Sequence, residues 1–148
     1  MTDAWLEQLS REACLRLLRQ GTVGRVGVVV DGDPVVLPVN YRLVEPPSGP
    51  LLVVRTRPGN VIEQAAATNV AFEIDSIDLA DHRGWSVLVR GELLHAYPAS
   101  ATARELDEPD PWLTDGREAW LFIDPFAISG RELHGAEPYW PFHPGDYM

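Results

Sequence analysis

Residues 33–60 read DPVVLPVNYRLVEPPSGPLLVVRTRPGN, and this stretch decides the fold. Val35 to Leu43 and Leu51 to Thr56 are rich in β-branched and apolar residues, and the segment 45–50 between them carries prolines, Ser48 and Gly49. The stretch therefore predicts two strands joined by a turn. Pro38 cannot donate to a ladder, so it predicts either a bulge or an edge, with backbone groups of Val39, Asn40 and Tyr41 left free for a ligand. The second strand leaves through Arg55-Thr56-Arg57 into Pro58-Gly59 and a short helix over 58–68. That exit is suited to an anion: guanidinium forks match a phosphate, Thr56 adds a hydroxyl, and the first turn of a helix offers unpaired N–H groups.

Towards the N-terminus, Asp31-Gly32-Asp33-Pro34 is a hairpin turn, which pairs a strand over 23–30 antiparallel with the one over 35–43. Ser10 is a helix cap, Glu12 suits the positive helix end and Gly21 supplies the stop, predicting a helix over 11–20. Residues 3–9 add a preceding turn. Towards the C-terminus, strands are predicted over 70–74, over 85–97 as the longest, over 119–123 and over 127–133, with a helix from Pro98 to about Leu106. Within 85–97, Val87, Val89 and Gly91 share one parity and Ser86, Leu88, Arg90 and Glu92 the other. The acidic segment 75–81 lacks the glycine and terminal glutamate of a calcium loop and reads as solvated surface. Strands joined mainly by hairpins, with few helices, predict a mostly β fold: a closed antiparallel barrel with peripheral helices, not a doubly wound sheet.

Length sets one domain over residues 1–148, with a core over about 8–133 and an aromatic tail over 134–148 that contains Tyr139, Trp140, Phe142 and Tyr147. Such a tail is expected to lie against its own barrel or a partner subunit. The 22 acidic residues against 12 basic ones give a net charge of −10, which argues against nucleic-acid and anionic-membrane partners. Every basic residue is arginine, so the Arg55-Thr56-Arg57 cluster stands out. No run approaches the roughly 20 apolar residues of a membrane span and no leader pattern is seen, so a cytoplasmic location is expected. Cys14, lying among leucines, is expected in the core.

Several chemistries do not fit. Gly21, Gly24 and Gly27 lack the dinucleotide fingerprint, and Ser86 lacks the second glycine of a nucleophile elbow. His82, His95, His134 and His143 show no metal-ligand spacing, so no metal is expected. With no acid, base or nucleophile evident, the catalytic residues stay unassigned, and the pattern suits an enzyme whose cofactor carries the chemistry.

Five segments, taken in order, carry a resemblance. They are Gly24-Arg25-Val26-Gly27, Pro38-Val39-Asn40-Tyr41, Arg55-Thr56 with Pro58-Gly59, Gly84-Trp85-Ser86-Val87-Leu88-Val89-Arg90-Gly91, and Ile128-Ser129-Gly130-Arg131. Over residues 8–133 the chain resembles the pyridoxamine 5'-phosphate oxidase-like family. The resemblance implies an FMN-binding split β-barrel, working as a homodimer with cofactor sites shared between subunits. It implies that Arg55 and Thr56 contact the FMN phosphate, with Arg57 and Asn60 nearby. Pro38, Val39, Asn40 and Tyr41 would lie along the isoalloxazine ring, and Trp85 and Ser86 would approach from the second subunit or from the same barrel wall. The competing roles are an ion pair for Arg55, a turn or bulge for Asn40 and core packing for Trp85.

The chain also departs from the family. Many relatives place a lysine soon after the Pro-Gly, where Val61 and its neighbours stand here. Some relatives use an 8-hydroxy-5-deazaflavin cofactor in place of FMN. The expected function is a flavin-dependent oxidoreductase acting on a small organic molecule. The alternatives are a deazaflavin-dependent reductase and a non-catalytic module that holds flavin or haem.

Overall fold

The computed structural model describes residues 5–95 and 119–135. Their elements run β1 (Trp5–Leu9), α1 (Arg11–Gln20), β2 (Val23–Val30), β3 (Asp33–Val44), β4 (Leu51–Thr56), a 3-10 turn (Val61–Ala65), β5 (Asn69–Asp78), β6 (Arg83–Leu94) and β7 (Ala119–His134). All pairings are antiparallel, in the order β1-β7-β4-β3-β2-β5-β6, and β6 also pairs with β7. That last ladder closes β2 to β7 into a barrel, which removes the open edges a flat sheet would expose. β7 makes the closure possible by its length. Residues 119–123 pair β4 on one side, residues 130–134 pair β1 on that same side, and β6 runs along the other. The stretch between β4 and β1 is where the barrel is split.

Inside lies one apolar cluster that includes Val26, Val39, Tyr41, Leu52, Val54, Phe72, Ile74, Val87, Val89, Leu121 and Ile123. α1 contributes Cys14, Leu15 and Leu18 to it. The helix is bounded as its sequence dictates: Ser10 accepts a hydrogen bond from the Ala13 N–H at 3.1 Å, and the Gly21 N–H closes on the Leu18 carbonyl. Glycine at position 21 allows a close approach, since a Cβ there would sit 2.0 Å from the Tyr41 hydroxyl. That hydroxyl donates to the Leu18 carbonyl at 2.9 Å, tying the end of α1 to β3, and burial pushes the Tyr41 phenol pKa up. Tyr41→Phe removes this donor and is expected to cost about 1 kcal/mol of stability, read as a lower denaturation midpoint with an unchanged slope.

Several expectations need correcting. Of the turn expected over residues 3–9, the described part, Trp5–Leu9, is instead a strand, β1, paired with residues 130–134 of β7. The strands expected over 119–123 and 127–133 are one strand, bent where Arg90 faces Ala127 and Gly91 faces Pro125, so that Phe126 is the extra residue of a bulge. β7, not the strand expected over 85–97, is therefore the longest. Asp75 to Asp78 belong to β5, and only residues 79–82 form the turn that follows. Pro38 does not bulge β3. It faces Arg25 in an unbroken β2–β3 register, and the edge alternative applies, because β4 pairs only from Asn40 onward. The helix expected from Pro98 to about Leu106, and the tail from residue 136, lie outside the described residues.

Candidate functional site

Alternation along a strand sends neighbouring side chains to opposite faces, and this sorts the expected site residues. On β3, Val39 and Tyr41 are buried in the barrel core, which leaves Pro38, Asn40 and Arg42 on the outward face. On β4, Leu52 and Val54 face the core. Leu51 and Val53 belong instead to a second, outward cluster with Val44 and Phe122, flanked by Leu94 and Trp120. Arg55 follows the parity of Val53, and Trp120 that of Phe122.

The register then assembles a row. Asn40 is opposite Arg55, and Arg55 is opposite Trp120. One step along, Arg42 is opposite Val53 and Val53 opposite Phe122. The outer face of β3, β4 and β7 thus offers an amide, two guanidiniums and an indole beside a buried apolar patch. The Nε atoms of both Arg42 and Arg55 are buried. A few polar groups set against apolar walls are what a site for a planar, phosphate-bearing ligand needs.

Other expected residues fall elsewhere. Thr56 takes the inward parity and is buried, its hydroxyl lying 3.4 Å from the Arg57 carbonyl, so it is turned away from Arg55. The backbones of Asn40 and Tyr41 are flanked by strands on both sides, and the Tyr41 N–H donates to the Thr22 carbonyl at 3.0 Å, so they are not freed by Pro38. Arg57 is exposed beyond the strand. Asn60 is used locally: its Oδ1 accepts from the Ile62 N–H at 3.0 Å.

The helix N-terminus expected at the exit is also different. Pro58-Gly59 forms a turn with Gly59 at φ +78 and the Asn60 N–H on the Arg57 carbonyl, leading into five residues of 3-10 helix. The Gly59 N–H donates to the Glu63 carboxylate at 2.7 Å. A carboxylate of the chain thus holds a donor that a phosphate would have used, and so short a turn has little dipole to add. The groups at this exit whose chemistry still matches an anion are the guanidiniums of Arg55 and Arg57.

Trp85 and Ser86 are at the other end. They face Glu132 and Arg131 of β7, while Arg55 faces Trp120. The separation from Trp120 to Glu132 is twelve positions, up to about 40 Å of extended strand. Trp85 packs against the inner core cluster, and Ser86 has the outward parity. In the ladders of one barrel these two residues are not neighbours of the Asn40–Arg55 row.

Arg42 and Trp120 carried no sequence motif. The only trace of either was Arg42 standing two residues beyond Asn40, the spacing of one strand face. Cross-strand pairing also gathers Glu7, Glu132 and His134, whose ligand-capable atoms lie within 4.8 Å of one another. No linear spacing announced this cluster. His134 Nε2 is 3.0 Å from Glu7 Oε2 and 3.6 Å from Glu132 Oε2, and the three side chains form a polar cluster where β1 meets β7. Among the described residues no helix is long and apolar enough to cross a membrane.

A closed antiparallel split barrel with an arginine-bearing outer face defines the class. The chain belongs to the pyridoxamine 5'-phosphate oxidase family, whose model matches residues 10–132. It is 27% identical to the FAD binding protein from Mycobacterium smegmatis, with a TM-score of 0.65 over 86% of this chain and 98% of that one. A conserved protein of unknown function from Corynebacterium diphtheriae is 28% identical, with a TM-score of 0.69 over 85% of this chain and 96% of that one. An uncharacterized protein of Mycobacterium tuberculosis is 27% identical over 132 residues, which cover 85% of this chain and 84% of that protein.

Proposed function

We propose that this protein binds a flavin on the outer face of β3 and β4 and acts as a flavin-dependent oxidoreductase on a small organic molecule. The observation that carries the reading is the cross-strand row of Asn40, Arg55 and Trp120 beside the apolar patch of Val53 and Phe122. The similarity to a protein that binds FAD supports the flavin over an unrelated planar ligand. The FMN portion would sit with its phosphate at Arg55 and its ring along Pro38 and Asn40. A bound flavin supplies the hydride chemistry, and the chain's own residues bind, orient and shield it. Asn40 would meet the polar edge of the ring with its side-chain amide, not with backbone groups. Asn40→Ala is expected to shift the flavin reduction potential while leaving the melting temperature unchanged. An unaltered potential means the ring lies elsewhere.

The site is proposed to be shared by two subunits. Trp85 and Ser86, which are not neighbours of Arg55 in the ladders of their own barrel, would reach it from a partner copy. Full-length protein is expected to sediment as a dimer at low concentration with its ligand bound; a ligand-loaded monomer removes Trp85 and Ser86 from the site. The test of the function itself is spectroscopic. The absorbance spectrum and mass of the co-purifying ligand distinguish FMN or FAD from the 8-hydroxy-5-deazaflavin cofactor and from haem. Anaerobic reduction should bleach a bound flavin, and reoxidation by an added organic acceptor marks an enzyme. Bleaching that no acceptor reverses marks a module that binds flavin without turnover.

A further inference from the structure

We propose that Glu7, Glu132 and His134 form a site for a divalent transition-metal ion of the zinc type, which fastens β1 to the barrel. The proposal is independent of the flavin reading, because the cluster lies at the β1 end of β7 and Arg55 pairs with Trp120 at the other. Glu7 and His134 are 127 positions apart in the chain and meet only through the β1–β7 ladder. In that ladder Glu7 is directly opposite Glu132, and His134 follows two residues along β7 on the same face. The ligand-capable atoms all lie within 4.8 Å of one another, with His134 Nε2 at 3.0 Å from Glu7 Oε2 and 3.6 Å from Glu132 Oε2. Ligands of a tetrahedral zinc ion, held by bonds of about 2.0–2.1 Å, stand about 3.3 Å apart. The two distances to His134 fall on either side of that separation, so small side-chain rotations suffice to complete the set.

Charge supplies the second argument. Two carboxylates directly opposite each other in a ladder repel. Elsewhere this acidic chain matches such groups with arginine: Glu45 with Arg19, and Glu73 and Asp75 with Arg25. Among the described residues no arginine lies within ion-pair distance of Glu7 or Glu132, and Arg131, next to Glu132, sits opposite Gln8 on the other face. An imidazolium at His134 offsets one carboxylate, whereas a divalent ion offsets both and takes the neutral ring as a ligand. The donor set also selects the ion. One imidazole nitrogen with two carboxylates suits zinc and its neighbours, while magnesium and calcium favour oxygen ligands throughout. Three protein ligands leave a fourth position to water. β7 is the strand on which β1 depends, since it is the only one that β1 pairs with among the described residues. An ion held between Glu7 and the Glu132–His134 pair pins that five-residue strand in place.

Full-length protein freed of metal by a chelator is titrated calorimetrically with Zn2+, as wild type, Glu7→Gln, Glu132→Gln and His134→Gln. The wild type is expected to bind one Zn2+ per chain. Each variant should bind it about tenfold or more weakly, since even the groups that merely orient a metal ligand are worth that much. Mg2+ in large excess should leave the bound Zn2+ in place. Zn2+ should also slow amide hydrogen exchange in residues 5–9 of the wild type and leave it unchanged in Glu7→Gln. Glu7→Gln swaps an exposed side chain for one of the same shape, so its metal-free form should melt with the wild type, which separates a lost ligand from a lost fold. Absence of saturable Zn2+ binding overturns the proposal. So does binding that all three variants leave unaltered, which puts the ion elsewhere, or ready displacement by Mg2+. Binding at these residues with no slowing of exchange in β1 overturns the fastening role.

Discussion

Arg55→Ala is expected to weaken FMN binding about ten- to hundredfold, the roughly 1.5–3 kcal/mol of a charge-assisted hydrogen bond. The turn after β4 gives the reason for expecting the whole of that loss. The Gly59 N–H is engaged by Glu63 and the Asn60 side chain by Ile62. The Thr56 hydroxyl has inward parity, and no lysine follows Pro58-Gly59. At the turn itself little remains to replace a missing guanidinium. Riboflavin, which has no phosphate, should bind the wild type more weakly than FMN and be nearly indifferent to the substitution. Fluorescence titration of FMN with unchanged affinity would remove Arg55 from the site.

Phe72→Ala is expected to cost about 3–5 kcal/mol of stability, the usual range for emptying a buried aromatic site. For a chain of this length that is a fall in melting temperature of about 6–20 °C. Phe72 is completely buried in β5 and meets the Tyr41 ring edge-on at 4.8 Å. It also fills the space over Gly24, where a Cβ would come within 2.3 Å of its ring. The ring therefore joins β2, β3 and β5 inside the barrel, and those strands cannot collapse into the void without breaking the β2–β5 register. Leu79→Ala is the control: Leu79 is 83% exposed, so its loss should change stability by no more than about 0.5 kcal/mol. A thermal melt in which the two variants behave alike would contradict the burial of Phe72.

Signals that act over a few residues were legible in the chain. β2 over Val23–Val30, β4 over Leu51–Thr56 and α1 over Arg11–Gln20 lie where the residues place them, because caps, turns and β-branched runs bias local backbone directly. The burial of Val87, Val89 and Gly91 on one side of β6 follows from alternation alone. The mostly β class and the barrel follow from many strands set between few helices.

The tertiary structure decided what depends on pairing between distant segments. β1 is only five residues long, and it is a strand because β7 offers it an edge. β7 runs through Pro125 because a bulge opposite Gly91 absorbs the proline, so two apparent strands are one. Arg55-Thr56 looks like a pair in the chain, yet the pleat divides it between two faces. Asn40, Arg55 and Trp120, scattered over eighty residues, become neighbours through two ladders. Residue type and spacing determined which local conformations this chain adopts. The register of its ladders, set by burying the inward faces of β2 to β7 together, determined which side chains meet.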